Sequence, residues 1–333
     1  MRPIRILLVL ALLLPLGLTH AATFKIATLS PDGSSWMQQF RAAAGTIRER
    51  TGGRVKFKFY PGGVMGDDKA VLRKIRVRQL QGGAVASGAI SALYPDSQLY
   101  NLPMLFRNLE EVDAVRAKLD GPILAGLEKR GFVSFGIAEG GFAYLLSQAP
   151  VTTVAELRRH KAWVPDIDRM SREAIEAFDI QPIPLPMGDV LTALQTGLVD
   201  TVAAPPIAAL ALQWHTQVKY LLDLPLLYSY ALMIIDQRAF ARLSPGDQAI
   251  VREVMGQTFR EIDRRNRQDN HQALTALRQQ GITFLTPSPE ARREWETLAA
   301  RARDHLRRAE HFDPALMRLL EDTLAAVRRG AAP

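Results

Sequence analysis

The chain contains no cysteine among its 333 residues. This absence excludes structural disulfides, thiolate zinc sites, cysteine nucleophiles and a lipidated cysteine near the N-terminus. Hydrophobic residues make up 47% of the sequence and charged residues 23%, which is the profile of a globular protein. The length suffices for one large domain or for two of ordinary size, each with its own core.

The sequence also lacks the motifs of common catalytic and cofactor sites. Its six histidines never take the His-Glu-x-x-His spacing of a zinc site, and no carboxylate cluster completes one. There is no Gly-x-Ser-x-Gly elbow, no Gly-x-x-x-x-Gly-Lys phosphate loop and no dinucleotide fingerprint after the first strand. We therefore expect no metal, no cofactor and no catalytic activity. An enzyme using His215 is kept as an alternative.

The formal net charge of +8 raises the question of nucleic-acid binding. The basic residues, including the pairs Arg158-Arg159 and Arg264-Arg265, are spread along the chain and interleaved with acids. No basic patch alternates with aromatics, and no recognition-helix motif is present. Such scattered charge is typical of solvated helix faces, so we expect no nucleic-acid partner.

The first segment has the pattern of a secretory signal peptide. Arg2 and Arg5 precede an apolar run over residues 6–18. Thr19-His20-Ala21-Ala22 supplies small residues for cleavage after Ala21, with cleavage after Ala22 as the neighbouring option. An uncleaved anchor is the alternative, but the run is short for a bilayer span. Without a second such run, the mature chain is expected to be periplasmic and not stably inserted in a membrane. Cleavage removes Arg2 and Arg5, which leaves 40 of the 42 basic residues. Against 34 acidic residues, the mature chain then has a formal net charge of +6.

Hydrophobic periodicity predicts an α/β protein. Strands are expected at residues 23–28 and 55–60, with helices at 36–50 and 67–78, an order that implies a parallel sheet covered by helices. Later in the chain the pattern predicts helices at 156–159, 170–178 and 190–196, strands at 162–164 and 232–236, and an extended run at 182–186. Ser244-Pro245 opens a helix that continues toward Gly281, long enough to connect two lobes.

Several segments resemble one protein family. They are GGRVKFKFYPGGVMG at 52–66, Leu102-Pro103 with Phe106, LRRHKAWVP at 157–165, PLPMGDVLTALQTGLVD at 184–200, Val218–Tyr220 and Ser244–Gln248. In this order the chain resembles the DctP-type solute-binding proteins of tripartite ATP-independent periplasmic (TRAP) transporters, over roughly residues 24 to 300.

The resemblance implies a two-lobed periplasmic-binding-protein fold with crossover strands and a long helix spanning both lobes. Residues 1–21 are assigned to the signal peptide. One lobe is assigned to residues 23–140 and 229–268, and the other to 141–228 and 269–333. The lobes are expected to close over a small-molecule ligand and to deliver it to TRAP-type membrane permease subunits.

The chain differs from this family at the positions where, by this resemblance, family members bind the carboxylate of their ligand. Trp163 stands in place of the arginine of a Lys-x-Arg-Val-Pro motif, and Ala143 in place of a second arginine after Gly-Phe. Ala204 replaces an asparagine, and Met187 an aromatic residue. A bidentate arginine is the usual partner of a buried carboxylate. Its loss predicts a wide, apolar cleft for an apolar, aromatic or lipid-like ligand.

The expected ligand contacts follow from the resemblance and from these departures. They are Trp36, Met65, Asp67, Ser87, Phe106, Phe142, Ala143, Trp163, Met187, Ala204, Trp214 and Tyr228. Trp163 has a second interpretation, as a core residue that fills the cleft. The function favoured by the sequence is a TRAP-type solute-binding protein. An orphan receptor or scaffold of the same fold, feeding a sensor or a lipid-trafficking partner, is the alternative.

Overall fold

A computed structural model describes residues 21–309 and 311–330. Apart from Ala21, the expected signal peptide lies outside the described residues. The strands are β1 (Ala22–Thr28), β2 (Val55–Tyr60), β3 (Gly82–Ala86), β4 (Phe132–Val133), β5 (Ile137–Ser147), β6 (Trp163–Pro165), β7 (Ile183–Leu185), β8 (Thr201–Ala204), β9 (Tyr220–Leu222), β10 (Leu227–Asp236) and β11 (Thr283–Leu285). The helices are α1 (Ser35–Arg50), α2 (Asp68–Arg76), α3 (Leu109–Lys129), α4 (Val154–Leu157), α5 (Arg169–Glu176), α6 (Val190–Thr196), α7 (Pro206–Ala211), α8 (Gln237–Phe240), α9 (Pro245–Gln279), α10 (Pro289–Ala309) and α11 (Pro314–Arg328).

Local capping explains where several helices begin and end. Ser34 caps α1 by accepting a hydrogen bond from the Met37 N–H, and Asp67 caps α2 by accepting one from the Ala70 N–H. Thr153 and Glu156 form a reciprocal capping box at α4. Gly197 ends α6 in the left-handed conformation, with φ 69° and ψ 19°, which favours glycine.

The main sheet has the strand order β11-β9-β5-β10-β3-β1-β2, with β8 also paired to β5 and β4 to β10. β1 is parallel to β2 and β3, as the order strand, helix, strand predicts. β5 and β10 pair antiparallel from Leu227 and Ala143 to Leu232 and Ile137, with a register shift at Ser229/Tyr230. Because both strands continue from one part of the sheet into the other, they are the two crossover strands of a two-lobed fold.

Four apolar clusters support this sheet. In the first lobe, one face packs against α3 and α11 through Leu119 and Leu320, and the other face packs against α1 and the start of α9. In the second lobe, one cluster joins α6, α7 and the end of α9, and another joins α4 to α10. Each lobe therefore has apolar layers of its own.

The helix α9 spans both lobes, as the sequence predicts. It has 35 residues, a length of about 52 Å at 1.5 Å per residue. Val251 and Ile262 pack in the first lobe, whereas Leu274 and Leu277 pack in the second. The strand expected at 232–236 begins earlier, at Leu227, because its first half pairs with β5 across the lobe junction.

Candidate functional site in the cleft between the lobes

A narrow cavity lies where the two lobes face each other. The first lobe contributes the turn after β1, the start of α2 and the end of β3, and the second contributes the segments that follow β6 and β7. The lining residues are Leu29, Asp67, Asp68, Lys69, Ala86, Gly88, Ala89, Pro165, Asp166, Ile167, Asp168, Pro186 and Met187. The cavity holds about 30 Å³, room for about two water molecules. The lobes are thus close to a closed arrangement.

The wall of this cleft is acidic. Four carboxylates line it, those of Asp67, Asp68, Asp166 and Asp168, and Lys69 is the one cation among the described lining residues. Asp68 is buried, and its Oδ2 accepts a hydrogen bond from the Ala86 N–H at 3.2 Å. Burial raises the pKa of Asp68 to about 7; the Ala86 N–H acts in the opposite direction, and the charges of Asp67 and Asp166 add to the rise. The cleft therefore disfavours further negative charge.

Gln98 and Asp168 connect the two lobes directly. The Gln98 Nε2 donates to Asp168 Oδ1 at 2.8 Å, and both side chains are buried. Asp168 also caps α5, because it accepts hydrogen bonds from the Ser171 N–H at 3.0 Å and the Ser171 Oγ–H at 2.6 Å. Gly88 allows the approach: a Cβ on it would lie 2.3 Å from Asp168 Oδ2. The closed arrangement depends on a residue without a side chain at this point.

A buried charge network surrounds the point where β5 crosses between lobes. The Arg116 Nη2 lies 2.9 Å from Asp120 Oδ2 and 2.8 Å from Asp263 Oδ2, and its Nη1 lies 3.6 Å from Glu139 Oε2. Burial lowers the pKa of Arg116, but the negative groups around it, with the Tyr228 hydroxyl, outweigh burial and raise it. The guanidinium therefore stays charged and holds α3, β5 and α9 together.

Polar side chains of α9 bind the backbone of β5 within this network. Asp263 Oδ1 accepts from the Glu139 N–H at 2.7 Å, and Asn270 Nδ2 donates to the Gly140 carbonyl at 2.8 Å. Asn266 donates to the Glu139 carbonyl and accepts from Trp36 Nε1 at 2.8 Å. The long helix is thus fixed to the crossover strand near its own middle.

Of the expected ligand contacts, Asp67 and Met187 lie on the cleft wall. Ser87 is adjacent to the wall residues Ala86 and Gly88, but it is buried and its Oγ donates to Asn101 Oδ1 at 2.6 Å. Met65 packs on the first-lobe core, and its carbonyl accepts from Lys74 Nζ at 2.8 Å. Trp36 packs beside α9, through the hydrogen bond to Asn266 described above.

The remaining expected contacts lie behind the cleft. Tyr228 packs edge-on against Phe106 and Phe142, with ring centroids 5.7 and 5.8 Å apart, in the first-lobe core. Ala143 is buried, and it lies opposite Leu227 where β5 pairs with β10. Trp214 and Ala204 are buried together in the second-lobe core. As ligand contacts, these residues stay predictions that the cavity lining does not support.

Trp163 packs in the interior of the second lobe. Its ring meets that of Trp214 edge-on, with centroids 5.2 Å apart, and its Nε1 donates to the Leu185 carbonyl at 2.9 Å. Both the apolar body and the polar atom of the indole are therefore satisfied within the lobe. The cleft is smaller than the wide one expected from this substitution, and carboxylates stand among its apolar lining residues.

The sequence analysis missed Gly88, Gln98, Asp166 and Asp168. Asp166 and Asp168 follow the short strand β6 directly, and Asp67-Asp68 open α2. Paired acids after a strand and at a helix start were the available signal, but only the packing of the lobes brings them together. Within residues 21–309 and 311–330 no group of three or more His, Asp or Glu side chains could hold a metal ion, and no helix is long and apolar enough to cross a membrane.

Two α/β lobes joined by paired crossover strands and a spanning helix, with a cleft between them, define a two-lobed solute-binding protein. Comparison with known proteins assigns the family: the DctP model, described as bacterial extracellular solute-binding protein, family 7, matches residues 26–308. The chain belongs to this family of TRAP-transporter binding proteins, which are not enzymes.

The relatives agree with this assignment. A solute-binding protein of Verminephrobacter eiseniae is 26% identical over 251 residues, 74% of each chain. The 2,3-diketo-L-gulonate-binding periplasmic protein of Escherichia coli is 26% identical over 245 residues, 72% of this chain and 74% of the relative. A TRAP periplasmic solute-binding protein of Desulfovibrio salexigens, solved with bound orotic acid, superposes with a TM-score of 0.84 at 21% identity, covering 92% of this chain and 99% of that one.

Proposed function

We propose that this chain is exported to the periplasm, captures a small ligand in the cleft between its lobes and delivers it to the membrane permease subunits of a TRAP-type transporter. The family match over residues 26–308, together with the inter-lobe cavity, carries the proposal. The chain's own export signal, at residues 1–21, is part of the proposal.

Capture requires the lobes to separate and close again. A cavity of about 30 Å³ is far smaller than the several hundred Å³ of typical small-molecule sites. We place the lobes at residues 23–140 with 229–268, and at 141–228 with 269–333, and the hinge near residues 142–146 and 228–232. One contact bears on this division: α11 packs against α3 of the first lobe, so the last helix fits better with that lobe.

The proposed ligand carries no ionised carboxylate and presents an apolar or aromatic body. Of the relatives named above, the Escherichia coli protein is named as binding 2,3-diketo-L-gulonate, and the Desulfovibrio salexigens protein was solved with orotic acid. In this chain the cleft wall offers carboxylates and Lys69 instead of an arginine clamp. Burying an anion beside such groups costs several kcal/mol. Leu29, Ile167 and Met187 supply apolar surface on both sides of the cleft.

Native mass spectrometry of the purified mature protein tests capture, since a bound ligand copurifies. Small-angle scattering with and without that ligand tests closure, and we expect a smaller radius of gyration when it is bound. Identical scattering profiles, with no copurifying molecule, would count against capture by closure.

Calorimetric titration tests the ligand class. C4-dicarboxylates, sugar acids and orotic acid should bind weakly or not at all. Asp166→Asn removes one wall charge and should raise the affinity for orotic acid, whereas Asp189→Asn, exposed outside the wall, should not. Micromolar binding of such an acid to the unmodified protein would overturn the ligand class and leave the solute-binding assignment in place.

A further inference from the structure

A second and larger cavity lies away from the cleft, between α10, α11 and the segment 102–105. It holds about 300 Å³, at the lower end of the range for small-molecule sites. Its floor is apolar and is formed largely by Leu105, Met317, Leu320 and Leu324. Arginine side chains of α10 and α11 stand around this floor. The cavity therefore combines apolar surface with positive charge.

Among the described residues that line this cavity, Arg303 is the cation without an anionic partner. Its Nη1 donates to the carbonyls of Pro103, at 2.5 Å, and of Met104, at 3.2 Å. Among the described residues, no carboxylate oxygen comes within 4 Å of its guanidinium. Burial lowers the pKa of Arg303, and the neighbouring Arg328 lowers it further. Asp304 acts in the opposite direction, and Arg307 adds a smaller lowering. A partly buried cation of this kind is stabilised by an added anion.

The other two arginines on the wall are already paired. Arg307 forms an ion pair with Glu321. Arg328 binds Glu111 through two hydrogen bonds, from Nε at 2.8 Å and from Nη2 at 2.9 Å. Within the described part of the chain, three guanidinium groups thus face two carboxylates, which leaves one positive charge for a ligand to balance.

We propose that this cavity binds a small amphipathic monoanion, a carboxylate on a short aliphatic or aromatic tail. The carboxylate pairs with Arg303, whose planar guanidinium suits a carboxylate, and the tail lies on Leu105, Leu320 and Leu324. The site is independent of the inter-lobe cleft, and its ligand differs in charge from the one proposed there.

Calorimetric titration of the mature protein with octanoate tests the site. Arg303→Leu removes the anchoring charge, and Ala325→Glu adds a carboxylate to the wall. Each should weaken octanoate binding at least tenfold, about 1.4 kcal/mol. Two matched variants should bind as the unmodified protein does: Arg301→Leu, exposed on the same helix, and Ala326→Glu, the next residue along α11 and not on the wall. Octylamine, which has the same tail and a positive charge, should bind at least tenfold more weakly.

Three results would overturn the proposal. One is no octanoate binding at millimolar concentration, and another is equal binding of octanoate and octylamine. The third is an affinity that neither Arg303→Leu nor Ala325→Glu reduces, which would place octanoate elsewhere on the molecule. If Arg303→Leu fails to fold, the comparison of Ala325→Glu with Ala326→Glu decides.

Discussion

Gly88→Ala should hold the two lobes apart. The backbone of Gly88 lies outside the left-handed region, so alanine meets no conformational strain there. The obstacle is Asp168: the new Cβ would lie 2.3 Å from its Oδ2 and 2.5 Å from its Cγ, where ordinary contacts begin near 3.4 Å. Asp168 cannot turn away without losing its hydrogen bonds to Gln98 and Ser171. The separated lobes relieve this contact.

The size of the effect follows from the hydrogen bond between Gln98 and Asp168, which separated lobes do not form. A hydrogen bond to a charged group contributes about 1.5–3 kcal/mol. If the lobes must part far enough to break the bond from Gln98 to Asp168, the ratio of closed to open molecules falls by about 10- to 150-fold. A ligand held only by the closed form loses affinity by at most the same factor, and the full factor applies when the closed form is the minor state without ligand.

Small-angle scattering and calorimetry with the copurified ligand measure this shift. Gly33→Ala is the matched control, because its Cβ would meet nothing within 4 Å. Asp168→Ser keeps a capping hydroxyl for α5 and removes the obstructing carboxylate, so the Gly88→Ala/Asp168→Ser variant should recover part of the affinity. Wild-type affinity and scattering in Gly88→Ala would refute the role assigned to this contact.

Other substitutions test the cleft and the cores. Folding raises the pKa of Asp68 from an ordinary 3.8 to about 7, so the folded state binds this proton more tightly than the unfolded state does. The free energy of unfolding should therefore decrease as the pH rises from about 4 to about 7. Asp68→Asn should flatten this fall in urea titrations at pH 5 and pH 8; an unchanged slope would contradict it. Trp163→Ala should lower the free energy of unfolding by about 3–5 kcal/mol, as for a core tryptophan, and wild-type stability would show that the residue is not core. Arg116→Met should cost about 3–5 kcal/mol because it leaves buried carboxylates without their partner. Arg264→Met removes an exposed pair and should cost much less; equal losses in chemical denaturation would contradict the network.

Local signals in the sequence were sufficient for several elements. The helix expected at 190–196 has those bounds in the structure, since Gly197 ends it in a conformation that glycine adopts readily. Ser244 and Pro245 likewise mark the start of α9, as cap and first helical residue. In each case the determinant lies within a few residues of the boundary, where sequence patterns carry most information.

The crossover strands could not be delimited in this way. Gly140 and Gly141 interrupt the alternation of β5, and Gly141 takes φ +100° where Asn270 of α9 approaches it closely. The first half of β10 is a strand only because it pairs with β5. α3 continues through Pro122, which by itself argues against a helix. Long-range packing decides all of these, and no local pattern reports it.

The same distinction applies to the candidate site. Asp67 was named because the resemblance to the family implies a polar ligand contact there, and Met187 because it departs from the family. Gln98 and Asp168 are 70 residues apart in sequence and meet only when the lobes approach. The orientation of Trp163 also depends on Trp214, a distant residue that offers it an edge-on partner.

The connections through β5, β10 and α9 limit the ways in which one lobe can move against the other. Two bodies joined at a single point can rotate about three axes, but β5 and β10 are hydrogen-bonded neighbours, and α9 is fastened to β5 through Asn266 and Asn270. Adjacent connections of this kind resist twisting and sliding and leave bending as the easy motion. With the opening and closing proposed above, Gln98 returns to Asp168 in the same alignment. A chain without cysteine thus keeps its binding geometry reproducible through the arrangement of its backbone connections.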